Sequence, residues 1–167
     1  MKLPFSVSAR TAILIGAENF SNPIGAIIEL VKNSYDADSN CCYILFDIQE
    51  TGDSIIYIVD YGCGMNVETI KNSWMQIGTD EKQQNAITSF GRIKSGAKGI
   101  GRFAMNRLGK KSTLFTRNGD GDGLTWSIDW SDFNKPGKNV EDITAELDSV
   151  ELSEIQKLTS DLGRKLN

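Results

Sequence analysis

The 167-residue chain contains no histidine. That absence removes Ser-His-Asp and Cys-His catalysis, histidine-based metal sites and phosphotransfer through a histidine of this chain. Its three cysteines, Cys41, Cys42 and Cys63, make no C-x-x-C or other metal-ligand spacing. They read as reduced thiols of a cytoplasmic protein. No stretch is long and apolar enough to cross a membrane, and residues 1–10 lack the apolar core of a signal peptide. Positive charge is not in excess. A net charge of −4 and a pI near 4.9 argue against a dedicated nucleic-acid binder. Chemistry in this chain must use carboxylates, amides, lysines, arginines and backbone groups.

What is present is organised around Glu29-Leu-Val-Lys-Asn-Ser-Tyr-Asp-Ala-Asp38. At about 100° per residue, Ile24, Ile27, Ile28, Val31 and Tyr35 share one helical face, and Glu29, Asn33 and Asp36 share the opposite one. The apolar stripe is expected to hold the helix to the core. The other face then presents a carboxylate, an amide and a second carboxylate, although a plain solvated face has the same pattern. Ser21 or Asn22 is a candidate cap for this helix, with Pro23 at its first position and its end near Asp38. A short helix is expected before it, near residues 8–15.

Residues 41–49 and 54–60 read as two strands joined by the turn Thr51-Gly52-Asp53. Asn66 is placed to cap a helix running to residues 74–76. Residues 77–98 are polar and glycine-containing, a length that suggests a functional lid or a disordered loop. A helical pattern returns over residues 99–108. Residues 111–117 and 124–130 read as strands around the glycine- and aspartate-rich turn of residues 118–123, which lacks the downstream Glu of a calcium loop. A loop over 131–139, a strand over 140–147 and a helix over 152–166 complete the chain. The order suggests an α+β sandwich, a mostly antiparallel sheet with helices on one face, in a single domain.

Two further stretches carry chemistry. Asp60-x-Gly62-x-Gly64 ends a strand on an acid and turns on glycines. Such an acid can accept a hydrogen bond from the exocyclic amino group of a base such as adenine, and an ordinary strand-end turn has the same composition. Gly96-Ala97-Lys98-Gly99-Ile100-Gly101-Arg102 leads into a helix. Glycines there expose N–H groups to an anion, and Lys98 and Arg102 add positive charge. It is neither a Rossmann fingerprint nor a Walker A loop.

In this order the three stretches resemble the GHKL family. That family includes DNA gyrase B subunits, ninety-kilodalton heat-shock chaperones, histidine kinases and MutL mismatch-repair proteins. The resemblance covers roughly residues 5–130. Ser8-Ala9-Arg10-Thr11-Ala12 and the Glu29–Asp38 run look most like bacterial chaperone-like and kinase-like ATPases. The resemblance implies a two-layer Bergerat-type sandwich that binds ATP with Mg²⁺. It implies Glu29 as general base, Asn33 as the Mg²⁺ ligand and Asp36 as a polar partner near the nucleotide. Asp60 would read adenine, and Gly62, Gly64 and Met65 would line the base pocket. Gly96, Lys98, Gly99, Ile100 and Gly101 would hold the phosphates. Lys82 sits where relatives keep a lid lysine, with Asp80 where many have Ser.

Relatives also carry a later Gly-Thr strand whose Thr touches the adenine site. No such segment precedes Asn167, and Thr113 and Thr116 lie on an earlier strand as poor substitutes. The expectation is an N-terminal domain of a longer protein. The leading reading is slow Mg²⁺-dependent ATP hydrolysis driving lid closure, with a homodimer forming through residues 1–20. A nucleotide-gated interaction module without meaningful turnover and a histidine-kinase catalytic domain are the alternatives. An adenine nucleotide is the expected partner, and neither a membrane nor nucleic acid is indicated.

Overall fold

The computed structural model describes residues 1–20, 22–78, 86–95 and 99–165. Helices α1 (Ala9–Asn19) and α2 (Pro23–Asp36) come first. Asn22 caps α2, its Oδ1 accepting the Gly25 N–H at 2.8 Å. Pro23 follows, where a missing N–H costs nothing. Ser21, the other capping candidate, lies outside the described residues. The helix stops two residues short of expectation, because Asp38 turns into the left-handed region at φ 63°.

Strands β1 (Cys42–Asp47) and β2 (Ile55–Asp60) form the expected antiparallel hairpin, in register from Cys42 opposite Asp60 to Asp47 opposite Ile55. Helix α3 (Val67–Thr69) starts on Asn66, whose Oδ1 accepts the Thr69 N–H, and widens into a π-type turn over Ile70–Trp74. After the polar segment, a 3₁₀ turn at Gly101–Phe103 runs into α4 (Ala104–Leu108). A second antiparallel sheet contains β3 (Lys111–Thr116), β4 (Gly123–Asp129) and β5 (Glu146–Val150), with β4 central. Helix α5 (Leu152–Lys165) ends the described chain.

Two expectations change here. The strand expected over residues 140–147 is a 3₁₀ turn at Val140–Asp142 followed by β5. The turn is held by the Asp142 carboxylate, which accepts the Asn139 N–H at 2.8 Å. Register with β4 is set later, by Leu147 opposite Trp126. The loop expected over 131–139 begins as a 3₁₀ turn, Trp130–Asn134, capped by Asp129 through the Ser131 N–H.

The buried face of α2 also differs. Ile24, Ile28 and Tyr35 are exposed, Ile24 at 71%. Ala26 and Ser34 are buried instead, and Leu30 packs on the core. Helix α2 lies against α4, where Ala104 is fully buried. Small side chains permit that close helix–helix approach, so Ala26 and Ser34, with Leu30, mark the packed face.

The helical layer is closed by α1 against α4 and meets the sheets through α2 on β2 and α4 on β3. The core is aromatic. Leu124, Trp126 and Ile128 of β4 alternate inward, and Trp126 meets the Trp74 ring edge-on at 5.7 Å. Trp130 stacks on Phe133 at 5.6 Å, and Phe103 contacts both. Edge-to-face and offset contacts of this kind add to the area that the rings bury. Two of these rings, Trp74 and Phe103, flank the polar segment, so the core fixes where that segment begins and ends.

Candidate functional site

Asp60 ends β2 with both carboxylate oxygens engaged. Oδ1 accepts the Gly62 N–H and Oδ2 accepts the Ser34 hydroxyl, each at 2.9 Å. A carboxylate has about four acceptor positions, so capacity remains on each oxygen for an amino group of a ligand. The following loop is tied down on two sides. The Cys63 N–H donates to the Ala37 carbonyl at the end of α2. The Asn118 amide donates to the Cys63 carbonyl, and the Met65 N–H donates to the Thr116 hydroxyl at 2.8 Å. Gly64 has φ 64°, and a Cβ there would lie 1.8 Å from the Arg117 carbonyl oxygen. No other residue fits that crossing. The loop therefore joins the two sheets at the site.

Ser34, Thr116 and Asn118 were missed as site residues. Ser34 sits on the Ala26–Leu30 face, which only the structure shows to be buried, and its hydroxyl is paired with Asp60 there, where an unpaired polar group would be costly. By sequence, Thr116 is only a poor substitute for the later Gly-Thr strand. It is buried and bonds the Asp60–Met65 loop directly, a contact between distant segments that strand reading alone does not reveal.

Glu29 and Asn33 lie one turn apart on α2 and face the glycine loop. A Cβ on Gly101 would stand 3.2 Å from Glu29 Oε1 and 3.4 Å from Asn33 Nδ2. The bare glycine lets the loop close onto both side chains. Glu29 is 20% exposed at its side chain and pairs with Lys32 at 2.9 Å. Gly99 turns with φ 63°, and its carbonyl accepts the Gly78 N–H at 3.5 Å, so the two ends of the polar segment meet. Ile100 packs on the core edge. Of the residues singled out in the sequence, Lys82, Gly96 and Lys98 lie outside the described residues.

Asp36 accepts the Ser95 N–H at 2.7 Å and the Ser95 hydroxyl at 3.0 Å. It anchors a small hairpin within the polar segment, closed by the bridge of Ile87 with Ile93. Asp38 holds the same hairpin, accepting from the Thr88 hydroxyl and from the Phe90 N–H. Arg92 adds a hydrogen bond to the Ser39 carbonyl and lies over the Tyr35 ring. The end of α2 is thus the seat of the described part of the expected lid.

Arg102, directly after the glycine loop, is buried at 9% exposure. Desolvation pushes its pKa down to about 10. As for metals, the described residues contain no group of three Cys, Asp or Glu side chains able to cage an ion. The neutral Asn33 amide beside Glu29 fits an ion that arrives on phosphates rather than one held by protein alone.

Residues 21–161 match the family described as histidine kinase-, DNA gyrase B- and HSP90-like ATPase. The chain is 32% identical over 104 residues to a putative type II restriction enzyme, HgiDII, of Herpetosiphon aurantiacus, covering 62% of this chain and 16% of that protein. It is 32% identical over 100 residues to the MORC family CW-type zinc finger protein 3 of Mus musculus, covering 59% of this chain and 10% of that protein. The chain thus spans a small part of the length of either relative. No helix of the described residues is long and apolar enough to cross a membrane.

Proposed function

The chain belongs to the histidine kinase-, DNA gyrase B- and HSP90-like ATPase family, and from that premise we propose that it binds Mg²⁺-ATP between α2, the Asp60 loop and the glycine loop, and hydrolyses it slowly. The observation that carries this reading is Gly101 seated against Glu29 and Asn33, which brings a carboxylate and a neutral amide to a loop suited to phosphates. Asp60 reads the adenine amino group, and Gly62, Gly64 and Met65 form the wall of the base pocket. Gly99, Ile100 and Gly101 take the phosphates, joined by Gly96 and Lys98. Asn33 would hold Mg²⁺, which supplies charge neutralisation at the phosphate oxygens. Glu29 orients and deprotonates the attacking water, a positioning task of the kind on which phosphoryl transfer depends.

Residues 77–98, with Lys82, act as the lid that excludes water. Asp36 belongs to this function through its hold on Ser95 rather than by touching the base. Residues 1–20 would join two copies, since Met1, Leu3 and Phe5 project large apolar side chains into solvent.

A nucleotide-gated module without meaningful turnover is the second reading. The Lys32 ammonium on Glu29 favours it, because it occupies a carboxylate oxygen that a general base would offer to water. Substituting Glu29→Ala separates the two. Retained ATP binding with at least about tenfold slower phosphate release is expected for a general base. Equal phosphate release by wild type and variant would remove Glu29 from the mechanism.

A further inference from the structure

Arg102 carries a buried charge that no carboxylate answers among the described residues. It takes part in none of their ion pairs. What surrounds it is a set of dipoles and a ring. Its Nη2 lies 3.0, 2.9 and 3.1 Å from the carbonyl oxygens of Ser73, Gln76 and Gly99. Its Cζ stands 5.6 Å from the centre of the Trp74 ring, and its Nη1 is buried without an acceptor among the described residues. Buried charges are ordinarily paired, because carbonyl dipoles and an aromatic face offset only part of the lost hydration.

The contact with Gly99 has a geometric consequence. In a planar trans peptide the carbonyl and the next N–H point in opposite directions. A Gly99 carbonyl drawn back onto Arg102 therefore turns the Ile100 N–H to the other side of the loop. The same carbonyl accepts the Gly78 N–H, so one guanidinium braces both ends of the polar segment. Ser73 and Gln76 tie that brace to the end of the α3 helix, and Trp74 ties it to the aromatic core.

We propose that Arg102 is a positioning residue for the polyphosphate of the bound nucleotide. It holds the Gly99 carbonyl behind the loop so that the Ile100 N–H faces the ligand, and its charge is answered by the phosphates across the backbone. This rests on the nucleotide-binding reading above. It distinguishes Arg102 from the loop residues, which touch the ligand themselves. It also predicts that Arg102 acts on the phosphate chain and not on the base.

The test titrates ATP and adenosine into the wild-type chain and into Arg102→Gln and Arg102→Lys. Arg102→Gln keeps an amide donor for the carbonyls and removes the charge. It is expected to weaken ATP by about tenfold or more and adenosine by no more than about twofold. Arg102→Lys keeps the charge but loses the planar fork, and a loss of roughly threefold for ATP alone is expected. A merely structural role would lower both affinities together in either variant, and that result, or unchanged ATP binding by Arg102→Gln, overturns the proposal. If Arg102→Gln does not fold, the ATP-to-adenosine ratio of Arg102→Lys decides. A wild-type chain that binds neither ligand brings down the nucleotide reading itself, which is a different outcome from a wild type that binds ATP while the ratio stays fixed.

Discussion

The β1–β2 hairpin and the β3–β4–β5 sheet are both antiparallel, yet they bear opposite loads. The three-stranded sheet buries Leu124, Trp126 and Ile128 from its central strand and gathers Trp74, Phe103, Trp130 and Phe133 around them. The hairpin leaves Tyr43, Phe46, Ile48 and Ile55 exposed, Phe46 at 57%. It is β2 of this thinly covered hairpin, however, that ends on Asp60. Stability is concentrated in one sheet, and the residue proposed for recognition, Asp60, stands at the tip of the other. The Asp60–Met65 loop joins them through Thr116 and Asn118. A site placed at such a joint is held by polar contacts to a rigid neighbour rather than by its own strand's packing.

The comparison breaks most readily at Trp126. Trp126→Ala empties the centre of the aromatic sheet and should cost about 3–5 kcal/mol of unfolding free energy, read by urea denaturation. A loss below about 1 kcal/mol would mean that the sheet is not the stable half. The joint itself is tested by Thr116→Val, which keeps the side-chain shape and removes the acceptor of the Met65 N–H. The expected loss is smaller, about 1–2 kcal/mol, with weaker ATP binding alongside. A variant as stable as wild type, with unaltered ATP affinity, would show that the loop needs no anchor on β3.

Local features were legible in the sequence. The Asn22 and Asn66 caps, the β1–β2 hairpin and the limits of β3 and β4 follow from side-chain chemistry within a few residues. Glu29 and Asn33 were legible as one helix face from periodicity, whereas Gly101, some seventy positions on, joined them only through the family resemblance and meets them by close approach of a glycine. What failed was the packed face of α2. Periodicity gives weight to large apolar residues such as Ile24 and Ile28, whereas the neighbour is α4, whose approach requires small ones such as Ala26. Thr116 and Ser34 were hidden for a related reason. Each serves a partner distant in sequence, Met65 or Asp60, and its own surroundings look like ordinary strand or helix.

The central claim is that the Asp60 loop reads an adenine nucleotide at the joint between the two sheets. Calorimetric titration of ATP into wild type and Asp60→Asn, with Mg²⁺ present, tests it most directly. Asn keeps one oxygen for Gly62 or Ser34 but replaces an acceptor with a donor. The account predicts ATP binding by wild type and a loss of about tenfold or more in the variant, since a group built to accept from an amino donor would be left facing one. Equal ATP affinity in the two proteins would contradict it.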